Sequence, residues 1–396
     1  MRHIIIYISI FALALLSVIA TAQEKRWELS GYANAMPSLI VQSVESPAMD
    51  TTMWLSQVLV HNRLNFSWQA SDHLRLDAGV RNRLITGSEA MIDPTGIGAD
   101  PGWVDLSWNL ASGNNALLNT SFDRLNATYE RKKWKLQLGR QRINWGQTFV
   151  WNPNDIFNTY SFFDFDYPER PGCDALRTTY YHSATSLSEL AVSAHTAPDS
   201  SVKITAALLH RWNRNNVDYQ LISGVLSEDD VVVGGGVTSD FGGLNLRSEL
   251  SYFHPVANFA DSLGVLAVSA GADYIFGNSL MLQAEVLYSS GSGDSGGDGG
   301  GLMTMYAAPL SAKNLSISQW SVFANAAYPL TPRLNASLST MYFVDMQLYY
   351  VGLSVDYSLA ENLDFSVITQ YFSSLGNSPA GKMQVFLGFM RLKFSF

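Results

Sequence analysis

Asp155, Asp164, Asp166 and Glu169 fall in one segment, Asn144 to Cys173, where Arg170 is the only base. The same segment carries Trp145, Phe149, Trp151, Phe157, Tyr160, Phe162, Phe163, Phe165 and Tyr167. Rings at that density need a surface to pack on. His61, Arg63, Arg81, Arg83 and Arg124 occur upstream on alternating segments, as part of a basic face. Carboxylates on a loop set across from arginines on a wall would create a transverse field in a narrow aqueous passage. Such a field orients polar solutes and excludes apolar ones. The alternative is a polar interior whose charges pair among themselves.

Bond-making chemistry has weaker support. His61, His73, His182, His195, His210 and His254 show no H-x-x-x-H spacing, and no G-x-S-x-G occurs. No catalytic residue, metal ligand or cofactor is assigned, and the chain is read as not an enzyme. Asp294 and Asp298 in the Gly291 to Gly301 stretch form one Gly-Asp copy without the apolar positions of a calcium-binding β-roll, which reads as an outer loop.

The elements that would position these residues are strands. In 57–69, Val58, Val60, Leu64, Phe66 and Trp68 alternate with Gln57, His61, Arg63, Asn65, Ser67 and Gln69. The same two-residue period runs through 73–85, 244–253 and 363–371. One face is apolar throughout and the other polar. The connections alternate between short turns, such as Ser71-Asp72, Gly277-Asn278 and Ala360-Glu361-Asn362, and longer segments, such as Met36 to Thr52, Gly87 to Ser121, Asn144 to Cys173 and Ser289 to Ser316. This pattern yields eighteen strands, with sixteen as the lower bound, and an even number puts both ends of the chain on one side. One detail conflicts with simple alternation: Arg140 and Arg142 share parity with Trp134, Leu136 and Leu138. Either both arginines sit above the apolar band or a bulge at Gly139 flips the register; the bulge is the preferred reading and adds both arginines to the basic wall.

Residues 1–22 read as a secretory signal peptide. Arg2 and His3 precede an apolar run from Ile4 to Ile19, and Ala20-Thr21-Ala22 is an A-x-A cleavage site. Residues 23–396 are then one barrel domain, with only Gln23 to Lys25 available before the first strand and no room for a plug. No later stretch of 18 apolar residues offers a transmembrane helix. Yet 47% of the chain is hydrophobic and only 15% charged. A closed barrel is the other way to satisfy every backbone polar group in lipid. The net charge of −9 disfavours nucleic acid as a partner. The single cysteine, Cys173, excludes an intrachain disulfide.

The chain ends on Met390, Leu392, Phe394 and Phe396 alternating with Arg391, Lys393 and Ser395. This resembles the closing strand of bacterial outer-membrane barrels, and the resemblance implies recognition of Phe396 by the barrel-assembly machinery. Gly139-Arg140-Gln141-Arg142-Ile143-Asn144-Trp145-Gly146-Gln147, continuing to Asn152-Pro153-Asn154-Asp155, is similar to a segment of porin-like proteins of Gram-negative bacteria, including alginate-export-type barrels. The resemblance implies an all-β, transmembrane, antiparallel up-and-down barrel of about 16–18 strands in the outer membrane, surrounded by lipid. Residues 144–173 form its third outer loop, the constriction-loop position of porins, and are expected to fold inward rather than over the rim. The expected function is passive or substrate-biased diffusion of small hydrophilic solutes. The alternatives are a dedicated channel for an acidic oligosaccharide or polymer, and a non-conducting structural or adhesive barrel. The expected pore residues are Asp155, Asp164, Asp166, Glu169 and Arg170 on the loop, with Arg63, Arg81, Arg83, Arg124, Arg140 and Arg142 on the wall. No subunit interface is legible, so monomer and trimer stay open.

Overall fold

The structure, a computed structural model, describes residues 26–46, 49–89, 94–100, 102–164, 167, 169–292, 310–374 and 382–396. The leader 1–22, Asp166 and most of the Gly291 to Gly301 stretch lie outside the described residues. Strands β1 (Trp27–Ser46), β2 (Met49–Ser71) and β3 (Leu74–Gly87) open the wall. A five-residue helix α1 (Pro94–Gly98) and a short strand β4 (Ser107–Gly113) precede β5 (Ala116–Arg131), β6 (Trp134–Gln141) and β7 (Cys173–Ser183). Hairpins continue through β8 (Ser186–Thr196), β9 (Val202–Arg214), β10 (Val217–Leu226), β11 (Asp230–Phe241), β12 (Leu244–Pro255) and β13 (Val265–Ile275). The last six are β14 (Met281–Ser289), β15 (Trp320–Thr331), β16 (Leu334–Phe343), β17 (Leu348–Ala360), β18 (Leu363–Ser374) and β19 (Lys382–Ser395). No helix among the described residues is long and apolar enough to cross a membrane.

Eighteen of these strands form a closed antiparallel wall. Each pairs with its sequence neighbour, and β19 returns to β1, with Tyr32 opposite Ser395 and Leu39 opposite Gly388. The Gly31 and Phe396 backbones exchange two hydrogen bonds of 2.9 Å at the seam. Gly31 is required there, because a Cβ would sit 2.2 Å from the Arg63 carbonyl oxygen. Closure leaves no open edge, which is what a sheet in lipid demands.

The apolar face points outward. Leu190, Leu208, Leu221, Val233, Leu250, Leu338 and Leu353 are all exposed in the middle of their strands. Exposed aromatics flank this aliphatic zone at both ends. Trp27, Trp68, Trp134, Phe241 and Tyr357 mark the short-turn end, and Trp54, Trp108 and Trp320 the long-loop end. Amphipathic rings at the two ends of an aliphatic band match the interfaces of a bilayer.

Three sequence expectations change. Met36 to Thr52 is not a loop: β1 runs to Ser46 and β2 starts at Met49. Met36, Ile40 and Leu55 face inward and are buried, which draws the segment into the wall. Pro37, lacking an N–H, interrupts pairing to β19 only at Met36 and Pro37. The β3–β5 connection contains an unexpected strand, β4, which pairs with the upper part of β5 on the edge that β6 leaves empty when it stops at Gln141. Finally, there is no register shift at Gly139. Leu125, Asn126 and Ala127 face Arg140, Gly139 and Leu138 in unbroken order, despite a φ of 110° at Gly139.

Candidate functional site

Residues 142–172 link β6 to β7, and the described residues among them form no helix or strand, so their backbone amides need partners from elsewhere. Three buried wall glutamates hold the segment, two of them through these amides. Glu189 on β8 accepts the Trp145 indole N–H at 2.6 Å. Glu249 on β12 accepts the amides of Gln147, Thr148 (2.9 Å) and Asn154 (3.0 Å). Glu285 on β14 accepts those of Phe149 (2.7 Å), Val150 (3.0 Å) and Trp151 (2.8 Å). Six backbone donors thus converge on two carboxylates, the arrangement that oxygen anions select.

Small wall residues make room for this approach. A Cβ on Gly234 would lie 2.8 Å from Asn154 Oδ1, and one on Gly236 would lie 2.6 Å from Gln147 Oε1. Asn154 completes the attachment by donating to the Gly235 carbonyl at 2.9 Å and accepting from Ser251 at 2.8 Å. The sequence reading missed these glutamates as anchors. The available signal was an isolated acid on the polar parity of its strand, opposite small residues in two cases: Glu249 pairs with Gly236 and Ser269, and Glu285 with Gly271.

Further along, Phe162 and Phe163 insert among wall aromatics. Phe162 meets Phe323 at a centroid distance of 5.2 Å, and Phe163 meets Tyr350 at 5.1 Å and Phe372 at 5.2 Å. Val150, Trp151, Leu287, Met341, Phe343 and Leu387 extend this apolar cluster. The inward face of β14–β19 is therefore apolar in its upper part, where alternation alone implied a polar lining.

The segment then meets the basic wall. Arg63 lies opposite Arg81, and His61 opposite Arg83, on adjacent strands. A bulge in β5 pairs Gly79 with Arg124 and Val80 with Phe122, so Asp123 is the extra residue. It re-aims Asp123 toward the arginines, where it accepts from Arg63 and from the Tyr167 hydroxyl. Arg81 stacks on the Tyr167 ring at 3.8 Å. Tyr32 donates to Glu169 at 2.9 Å, and Arg124 donates to the Glu169 and Arg170 carbonyls at 2.6 and 2.9 Å. Arg83 donates to the Ile97 carbonyl at 2.6 Å and to Asn119 at 2.8 Å. The structure thus brings Arg63, Arg81, Arg83 and Arg124 together with Glu169 and Arg170.

Of the other proposed residues, Asp155 and Arg142 lie beside Arg170 within the loop, and Arg140 lies off the inner basic face. Asp164 is exposed, and its amide donates to the Ser161 carbonyl. Asp155 is fully buried inside the loop. Burial pushes its carboxyl up to about 7 against the Arg142 and Arg170 guanidiniums and the amides of Trp145 and Asn158. Burial also draws Arg170, which stacks on Tyr160, down to about 10. Arg142 is not on the wall, since β6 ends at Gln141; it is the first residue of the loop. Arg140 keeps the parity of Leu138 and does not join the inner basic face. It binds Asp174, its partner across the ladder, at 2.8 Å and Asp100 of the β3–β5 connection at 2.6 Å, and donates to the Val104 carbonyl. Arg140 therefore fastens that connection where the loop leaves the wall.

The Asp155 shift has a consequence for pH. The folded protein holds this proton more tightly than the unfolded chain, whose carboxyl titrates near 3.8. The stabilisation is complete below about 4 and is lost as pH rises through about 7. The Asp155→Asn variant is expected to flatten the decline in thermal unfolding temperature between pH 4 and 7. An unchanged pH profile would show that Asp155 does not carry it.

The fold matches solved porins. It is similar to Pseudomonas aeruginosa OccK9 (OpdG), with a TM-score of 0.56 and 12% identity over 93% of this chain and 99% of that one. It is similar to P. aeruginosa OccK5 (OpdH), with a TM-score of 0.58 and 9% identity over 93% and 98%. It is also similar to a BenF-like porin from Pseudomonas fluorescens Pf-5, with a TM-score of 0.54 and 10% identity over 93% and 99%. No protein-family model matches the sequence, and no curated protein matches it. The chain is a closed, 18-stranded antiparallel β-barrel with the fold of Gram-negative outer-membrane porins.

Proposed function

We propose that this protein is an outer-membrane porin through which small hydrophilic solutes diffuse, with residues 142–172 narrowing the lumen. The observation that carries this reading is the attachment of the loop to the inward faces of opposite parts of the wall. It is held by Glu189, Glu249 and Glu285 on one side and by Tyr32, Arg81, Asp123 and Arg124 on the other. A segment tied in this way divides the interior and leaves a narrowed passage whose arginines bias the solute. The outward aliphatic band and its aromatic borders suit an outer membrane, with the short turns and Phe396 on the periplasmic side, where the assembly machinery would read that residue. Solute bias toward anions, including an acidic oligosaccharide, belongs to the same reading.

The refolded mature protein in a planar bilayer under a salt gradient tests it. Discrete conductance steps are expected. A folded barrel that passes no current would instead favour a structural or adhesive role. Arg81→Gln with Arg83→Gln is expected to move the reversal potential toward cation selectivity, since two positive charges leave the inner wall. An unmoved potential would remove these arginines from the conduction path.

A further inference from the structure

A second feature of the interior lies between the loop and the inward faces of β14–β19. It is a cavity of about 440 Å³, within the roughly 300–1,000 Å³ range of small-molecule sites. The amides of Gln283 and Asn325 line it and hydrogen-bond to each other at 3.0 Å. Ser337, Ser339 and Ser354 add hydroxyls. Phe162, Phe323 and Tyr350 supply aromatic surface. The Tyr350 hydroxyl is held by Ser339 and Gln370. Gly352 leaves room for that hydroxyl, since a Cβ there would lie 2.0 Å from it. Asp356 and Arg391, the charged residues of the lining among the described residues, pair with each other at 3.4 Å.

We propose that this cavity is a binding subsite for a neutral saccharide. Amides and hydroxyls both donate and accept, as sugar hydroxyls do, whereas an anion would need donors alone. The paired Asp356 and Arg391 add little net charge. The rings offer apolar surface to the C–H faces of a sugar, which a small inorganic ion lacks. The subsite rests on the porin reading for its place on a solute route, but binding itself does not require conduction.

Maltose is the probe, added from the short-turn side to the full mature protein in a planar bilayer. A saturable interruption of the current is expected. The Gln283→Leu/Asn325→Leu variant touches neither the loop anchors nor the arginines. It is expected to keep the open-channel conductance and raise the half-saturating maltose concentration about ten-fold, the effect of losing one or two net hydrogen bonds. Current without interruption overturns the subsite. Interruption equal in the variant overturns it too, as does stronger interruption by glucuronate that the same variant weakens. If no current flows, the porin reading falls, and titration calorimetry of maltose into the detergent-solubilised barrel decides the subsite. Saturable heat that the variant loses supports it, and absence of heat overturns it.

Discussion

Glu249→Gln combined with Glu285→Gln is expected to raise the single-channel conductance roughly two-fold or more, because conductance follows the narrowest cross-section. Six loop amides point at these two carboxylates. Hydrogen bonds to a charged group contribute roughly 1.5–3 kcal/mol each, so their joint loss outweighs any single other attachment of the loop. A carboxamide keeps the shape but replaces one acceptor oxygen by an N–H₂ donor, which opposes the amides it meets. The barrel itself is held by its closed ladder, so the double variant is expected to fold and to show the same heat-modifiable migration as the parent. Conductance unchanged in a folded double variant would mean that the loop stays in place without these anchors.

The second large effect concerns the far half of the loop. Replacing residues 154–168 by a short Gly-Ser linker removes Asn154, the Phe162 and Phe163 rings and Tyr167 together. It leaves the Glu285 attachment of Phe149, Val150 and Trp151 in place. The conductance is expected to rise, again roughly two-fold or more. Selectivity is expected to change as well, because Arg81 loses its stacked ring and Asp123 loses the Tyr167 hydroxyl. The two designs separate the halves of the device. If only the glutamate variant widens the channel, the near half sets the constriction. If only the replacement does, the far half sets it. Noise analysis of the open state provides an independent readout, since a loop freed from its anchors is expected to add fluctuations that a deleted one cannot.

Much of the architecture was legible in the sequence, and the reason is local. In a barrel wall each residue meets either lipid or the interior, so the two-residue period of Val58, Val60, Leu64 and Phe66 against Gln57, His61, Arg63 and Asn65 records the sidedness directly. Turn chemistry at Ser71-Asp72 and Gly277-Asn278 marks the short ends in the same way. Parity also placed Arg63, Arg81 and Arg83 on one face, and the ladder sets Arg63 opposite Arg81. Where the rule met Arg140, the expected bulge at Gly139 was the wrong remedy. The outward-parity arginine is covered by a separate segment carrying Asp100, and no local pattern announces a partner forty residues away.

What the sequence by itself determined is therefore the strand pattern, the closed barrel it implies and the segment too aromatic to remain in water. The tertiary structure alone decided the attachments of that segment. Trp145 finds Glu189 across 44 residues, Thr148 finds Glu249 across 101 and Val150 finds Glu285 across 135. Such pairings depend on which strands closure brings opposite the loop and on the space left by Gly234 and Gly236. Those are properties of the closed barrel as a whole, and neither the loop nor any single strand encodes them alone.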